Sequence, residues 1–270
     1  MIALFDSGYG GLTVLKPVMD LLPQYDYLYL GDNGRTPYGN HSPENIINFS
    51  EQAVDYLFSR GVKLIIFACN TVSSVALRNI QQKYAEQNKK NHTNILGVLI
   101  PVAEESIKKT KNKKVGVIGT RATVNSGVYE KEIHKLDSQI KVYQEACPLL
   151  VPFIEEGWHK KPEAISILKK YLRPVKGNNI DTLILGCTHY PLMIKEIKKF
   201  MGKKVKVLPS GEITAKSLKA YLERHPEIES KLTKGKSRTF LTTDDPVKFK
   251  SFTEKNFGMR IKAPEKINLK

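Results

Sequence analysis

Short apolar runs alternate with stretches of helical spacing from one end of the chain to the other. Ile2 to Phe5 precedes a helical pattern over Leu12 to Leu22, Tyr27 to Leu30 precedes Glu44 to Ser59, and Leu64 to Ala68 precedes Val72 to Tyr84. Runs of four or five apolar residues without polar alternation fit strands covered on both faces, and their regular succession with helices is the mark of βαβ units in a parallel sheet. After Gly97 the pattern restarts with a helix near Val102 to Lys109 and a strand over Val115 to Ile118. Later come a helix over Ile213 to Tyr221, a strand over Arg238 to Thr242 and a last helix over Pro246 to Asn256, expected to return and complete the first lobe. Ser42-Pro43 reads as an N-cap with proline at the first helical position, while Pro23, Gly61 and Gly202 stand where helices end.

Two of the apolar runs end in the same way. KLIIFACNT (Lys63 to Thr71) and DTLILGCTH (Asp181 to His189) each place a cysteine, Cys69 or Cys187, at the carboxyl end of a buried strand, followed by small polar residues opening a helical segment. That edge of an α/β sheet is where ligands bind, because helix starts present unpaired N–H groups and partial positive charge there. The same field is expected to favour thiolate over thiol. VGVIGTRAT repeats the strand, turn and small polar residue of the opening IALFDSGYG, so Gly119 corresponds to Asp6. From Asp6 to Cys69 is 63 positions and from Gly119 to Cys187 is 68. The reading is α/β: two similar lobes with mostly parallel sheets related by pseudo-twofold duplication, residues 1–97 plus 209–270 and residues 98–208, with the active site in the cleft between them. The third cysteine, Cys147 in EACPLL, lacks this context and is assigned to packing.

A chain of 270 residues that is 41% hydrophobic can bury two cores. No apolar stretch approaches the ~20 residues of a membrane helix, and Met1 runs directly into IALFDSG with no basic leader. Three cysteines without a CxxC pair argue for reduced thiols, no zinc site and a cytoplasmic protein. The formal charge of +16 comes mainly from lysines in clusters such as Lys108 to Lys114. They are not interleaved with aromatics or arginines as in a nucleic-acid module, so a solvated lysine-rich surface is the reading preferred over DNA binding.

The candidate chemistry sits at the strand ends. DSGYGG (Asp6 to Gly11) offers an acid, a hydroxyl and three glycines, a weak signal alone because the full GxGxxG is absent. GDNGRTPYG (Gly31 to Gly39) adds Asp32, Arg35, Tyr38 and more glycine, and His189 stands two residues beyond Cys187 as an acid/base helper. Two thiols facing each other suit removal of a proton from one face of a carbon and its return to the other, which is stereoinversion. A single Cys with a His orienter, as in thiol hydrolases, would leave the second turn unexplained.

FDSGYGG, GDNGRTPYG, ACNT and GCTHYP, in this order and spacing, resemble the glutamate racemases, cofactor-independent enzymes of the aspartate/glutamate racemase superfamily. The resemblance covers most of the chain and is weakest between Asn88 and Asn94 and after Pro226. It implies interconversion of L- and D-glutamate, with the D form feeding peptidoglycan synthesis, no cofactor or metal, and often a homodimer. By the family pattern Cys69 takes the α-proton from D-glutamate with help from Asp6, and Cys187 takes it from L-glutamate with help from His189. Glu155 of VPFIEEG is a further acid, with Glu156 the alternative for that role. Asp6, Ser7, Tyr38, Gly39, Asn70, Thr71, Thr188 and His189 match substrate-holding positions, and Thr120 and Thr123 of GTRAT join them from the second lobe. The alternatives are racemisation of aspartate or another amino acid by the same chemistry and, behind it, a basic-surface role toward DNA or gyrase, which some members of that family have.

Overall fold

In the computed structural model, which describes residues 1–87 and 94–269, all paired strands run parallel and form two sheets. The chain begins β1 (Ile2–Asp6), α1 (Leu12–Leu21), β2 (Tyr27–Gly31), α2 (Pro43–Ser59), β3 (Leu64–Phe67), α3 (Asn70–Val75), α4 (Leu77–Gln87) and β4 (Asn94–Gly97). It continues through α5 (Leu99–Lys109), β5 (Lys114–Gly119), α6 (Arg121–Asn125), α7 (Val128–Leu136), β6 (Lys141–Ala146), α8 (Leu150–Glu155), α9 (Pro162–Gly177), β7 (Thr182–Gly186), α10 (Ile194–Met201) and β8 (Lys206–Leu208). The return consists of α11 (Ser210–Arg224), α12 (Pro226–Glu229), β9 (Arg238–Thr242), α13 (Pro246–Phe257) and β10 (Glu265–Lys266).

The first sheet has the order β10-β9-β2-β1-β3-β4 and the second β6-β5-β7-β8. Without its two late edge strands the first is 2-1-3-4, the same winding as 6-5-7-8, so β1 corresponds to β5 and β3 to β7. That is the internal duplication expected from the paired cysteine turns. β1, β2, β3 and β7 are buried at every position. Alternate residues feed different cores: Ile2, Leu4, Tyr27 and Tyr29 face one helical layer, and Ala3, Phe5, Leu28 and Leu30 the other. The second sheet repeats this, with Leu183 and Leu185 on one face and Ile184 with Val115 and Val117 on the other. The largest core continues across both sheets on one face, through α1 and α11 to Cys147 and Cys187. Helix α11 packs on α1 and on α5, so the returning chain touches elements of both sheets.

Local punctuation follows simple chemistry. The Ser42 side chain accepts from Asn45 N–H at the start of α2, an N-cap contributing about 1 kcal/mol, and Gly61 just past that helix takes φ +77, where a Cβ is disfavoured. One helical expectation is corrected: the stretch from Val72 to Tyr84 is two helices broken at Ala76. Ser74 donates its hydroxyl back to the carbonyl of Asn70 at 2.7 Å, a back-bond of the kind that bends a helix, while Ser73 ties the first of the two helices to the Phe67 carbonyl at the end of β3. Cys187 is likewise followed by a 3-10 turn, Tyr190–Met193, before α10 begins at Ile194, so no α-helix starts directly at that thiol. Pro191 and the donation of Tyr190 O–H to the carbonyls of Gly119 and Cys147 hold this turn.

Candidate active site

The carboxyl ends of β1, β3, β5 and β7 meet between the two sheets and bring the loops after them into one cluster. Cys69 caps α3 and Cys187 follows β7, and both side chains are 5% exposed. Ser7 Oγ lies 3.6 Å from Cys69 Sγ. Asp6, fully buried at the end of β1, accepts from Gly8 N–H at 3.0 Å and from the Thr188 hydroxyl at 3.2 Å, a bond that spans the cleft. On the other wall His189 Nδ1 lies 3.9 Å from Cys187 Sγ, and its Nε2 lies 2.9 Å from Glu155 Oε1. Glu155 closes α8 and is the acid that reaches His189, while its neighbour Glu156 is exposed. Each thiol therefore has polar groups of its own nearby: the Ser7 hydroxyl at Cys69, with the Asp6 carboxylate one residue before it in the chain, and the His189–Glu155 pair at Cys187.

Burial governs the electrostatics of Cys69. Burial pushes the Cys69 thiol up to about 12, the Asp6 carboxylate adds to this, and the Val72 N–H of α3 with the Ser7 hydroxyl only partly offsets both. The expectation that a helix start favours thiolate is thus corrected at Cys69, because desolvation outweighs one turn of N–H groups. Asp6 is itself raised by burial, against the pull of His189 and the Gly11 and Gly8 N–H groups. For His189 burial opposes the charge, yet its hydrogen bonds to Cys187 and Glu155 win, and it lies well above its ordinary value.

A histidine whose folded pKa is raised holds its proton more tightly in the folded state. Its stabilising contribution is full below the unfolded value near 6.5 and disappears as pH rises through the folded value. Replacing Glu155 with Gln removes a raising partner, so the His189 ring titration followed by proton NMR is expected to move down in pH. An unchanged midpoint would show that Glu155 does not hold the imidazolium.

The remaining candidates line the same junction. The Thr71 hydroxyl lies 2.9 Å from that of Thr120 and 3.4 Å from that of Thr123, and Thr120 caps α6 by accepting from Thr123 N–H. Gly39 abuts Thr120 so closely that an added Cβ would stand 2.4 Å from the threonine Cβ. Asn70 is buried beside Cys69, and its amide Nδ2 has no hydrogen-bond acceptor among the described residues. Tyr38 is placed differently from the others: its hydroxyl donates to Asp32 within the first lobe, with its ring against Phe5, His41 and Phe49.

Asp32, with no exposed side-chain surface, also accepts from Arg35 Nε at 2.6 Å and from the Thr243 hydroxyl at 2.7 Å. GDNGRTPYG is therefore a loop folded around a buried carboxylate, which presents Gly39 to the second lobe. Three contacts were not legible in the sequence: Gly10 fits under Thr188 and His189, the Thr13 hydroxyl donates to the Thr188 carbonyl at 2.9 Å, and Tyr29 O–H donates to the Gly8 carbonyl. No local pattern marks them, because each partner lies on a distant strand or loop.

Two lobes of parallel α/β winding with a buried thiol on each wall of one cleft suit an isomerase, an enzyme that inverts a carbon centre. A model of the Asp/Glu/Hydantoin racemase family matches residues 15–218, and the chain belongs to that family as an amino-acid racemase. It is 42% identical over 260 residues to a glutamate racemase of Caldanaerobacter subterraneus, covering 96% of this chain and 94% of the relative. Its fold matches a glutamate racemase isoform from Bacillus anthracis at a TM-score of 0.90 with 35% identity, over all of this chain and 97% of the other. It also matches a glutamate racemase from Francisella tularensis in complex with D-glutamate at 0.88 with 36% identity, covering 99% and 97% of the two chains.

Proposed function

We propose that this chain interconverts L-glutamate and D-glutamate by proton transfer between Cys69 and Cys187, without a cofactor, and so supplies D-glutamate for peptidoglycan. The observation that carries this reading is the pair of separately supported thiols on opposite walls of one cleft, Cys69 with Ser7 and Asp6, Cys187 with His189 and Glu155. In the direction from D-glutamate the Cys69 thiolate takes the α-proton and the Cys187 thiol delivers its own proton to the opposite face. The reverse direction exchanges the roles, and each turnover leaves the two thiols in swapped protonation states that must reset. A buried thiol with a pKa near 12 becomes a base only when a positive charge approaches it, and the α-ammonium of the amino acid is such a charge. The carbanion formed in between is stabilised by fixed donors in a dry site. Ser7, Asn70, Thr71, Thr120, Thr123, Thr188 and His189, with the loop of Tyr38 and Gly39, supply hydroxyl and N–H groups to the two carboxylates.

Residues 1–97 with 209–270, and residues 98–208, act as the two lobes of a cleft that closes on the substrate, the chain crossing between them at 97–98 and 208–209. The protein works in the cytoplasm as a homodimer. The direct test is solvent deuterium entry at the α-carbon of L- and D-glutamate, followed by NMR with loss of optical rotation, without added pyridoxal phosphate and beside an aspartate control. Exchange with racemisation of glutamate is the expected result. Faster turnover of aspartate would transfer the assignment to that substrate.

A further inference from the structure

Tyr129 lies on α7 of the second lobe, fully buried in the core between that helix and the second sheet. Its ring rests against the strand end that carries Cys187: a Cβ added at Gly186 would stand 3.2 Å from Tyr129 Cε2. Its hydroxyl crosses the cleft and donates to Asn70 Oδ1 at 2.7 Å, beside Cys69. A carboxamide has an acceptor end and a donor end, and a partner that donates fixes which way round it sits. With Oδ1 taken by Tyr129, Nδ2 is the free end, and it is buried without an acceptor among the described residues. Burial raises the Tyr129 phenol above its ordinary value, so it keeps its proton and acts as the donor at working pH.

Resting on the glutamate reading above, we infer that Tyr129 is a positioning residue: by donating to Asn70 Oδ1 across the cleft it aims the Asn70 amide N–H at the substrate carboxylate. Closing the lobes makes this bond, so the carboxylate donor is set in place only when the second lobe arrives. A reversed amide would present Oδ1 to the carboxylate, two acceptors facing each other in a dry site.

The test is a double-mutant cycle on the full chain, with KM and kcat measured for both enantiomers of glutamate. Y129F is expected to raise KM about tenfold, the size of one buried hydrogen bond lost, while kcat falls by less than about threefold and the melting temperature moves little. N70A is expected to raise KM at least as far, and Y129F in the N70A background to add nothing, since the group it positions is gone. An unchanged KM in Y129F, KM effects that multiply in the double variant, or an unchanged KM in N70A would each overturn the inference. The last holds even if Y129F folds poorly. A wild-type protein inert toward glutamate would count against the substrate assignment alone, and the same cycle would then be read on the amino acid it does racemise.

Discussion

Cys69→Ser and Cys187→Ser are each expected to lower racemisation by about a thousandfold, as removal of a proton-transferring group does, while Cys147→Ser stays within a few-fold of the wild type. A serine hydroxyl keeps the shape of the thiol but is far less acidic. At Cys69, where burial and Asp6 already hold the thiol near 12, an alkoxide is out of reach. The two single variants are not equivalent. Under the proposed mechanism, with Cys69 replaced Cys187 is expected still to take the proton from L-glutamate and return one to the same face, so that deuterium enters L-glutamate without inversion. With Cys187 replaced, the same one-face exchange belongs to D-glutamate. Cys147 is fully buried in the core, and its Sγ lies 3.7 Å from the Glu145 carbonyl. Its replacement is expected to affect the melting temperature before the chemistry. Kinetics in both directions and α-deuterium NMR check all three, and equal loss in the three variants would point to folding damage instead.

Gly10→Ala is expected to cut kcat/KM by at least about a hundredfold, the scale of an ångström's misplacement in an active site. A Cβ at Gly10 would stand 2.3 Å from Thr188 Oγ1 and 2.5 Å from His189 Nδ1. Both are held by hydrogen bonds, Thr188 to Asp6 at 3.2 Å and His189 to Glu155 at 2.9 Å, so neither side chain can retreat without breaking its bond. The lobes must then stand apart by the width of a methyl group, and the thiols no longer reach one carbon together. Gly177→Ala at the end of α9 is the control, because nothing lies within 4 Å of its added Cβ. Activity of Gly10→Ala close to that of the control would show that the tight contact between the lobes is not needed for turnover.

Much of the architecture was legible along the chain because it is local. The strands β1, β2, β3, β5 and β7 are buried on both faces and read as unbroken apolar runs, and the cysteines at the ends of β3 and β7 mark the repeat that the strand orders 2-1-3-4 and 6-5-7-8 display. The half-exposed β6 and the three-residue β8 were not read, since neither carries an apolar run long or clean enough to stand out. The break at Ala76 coincides with the Ser74 hydroxyl turned back onto the Asn70 carbonyl, which spacing alone does not encode.

What the sequence by itself determined is therefore the parallel α/β winding, its duplication, and the placing of a thiol and polar groups at corresponding strand ends. These follow from hydrophobic period and turn chemistry, which act over a few residues. The tertiary structure decided which groups meet: Thr188 with Asp6 across 182 positions, Tyr129 with Asn70 across 59, Glu155 with His189 across 34. It also decided the direction in which Cys69 titrates and the burial of Asp32 inside its own loop. Such pairings and the desolvation that shifts a pKa depend on how distant segments are brought together, within the second lobe for Glu155 and His189 and between the two lobes for Thr188 with Asp6 and Tyr129 with Asn70, and no short stretch of chain carries a signal for a partner so far along it.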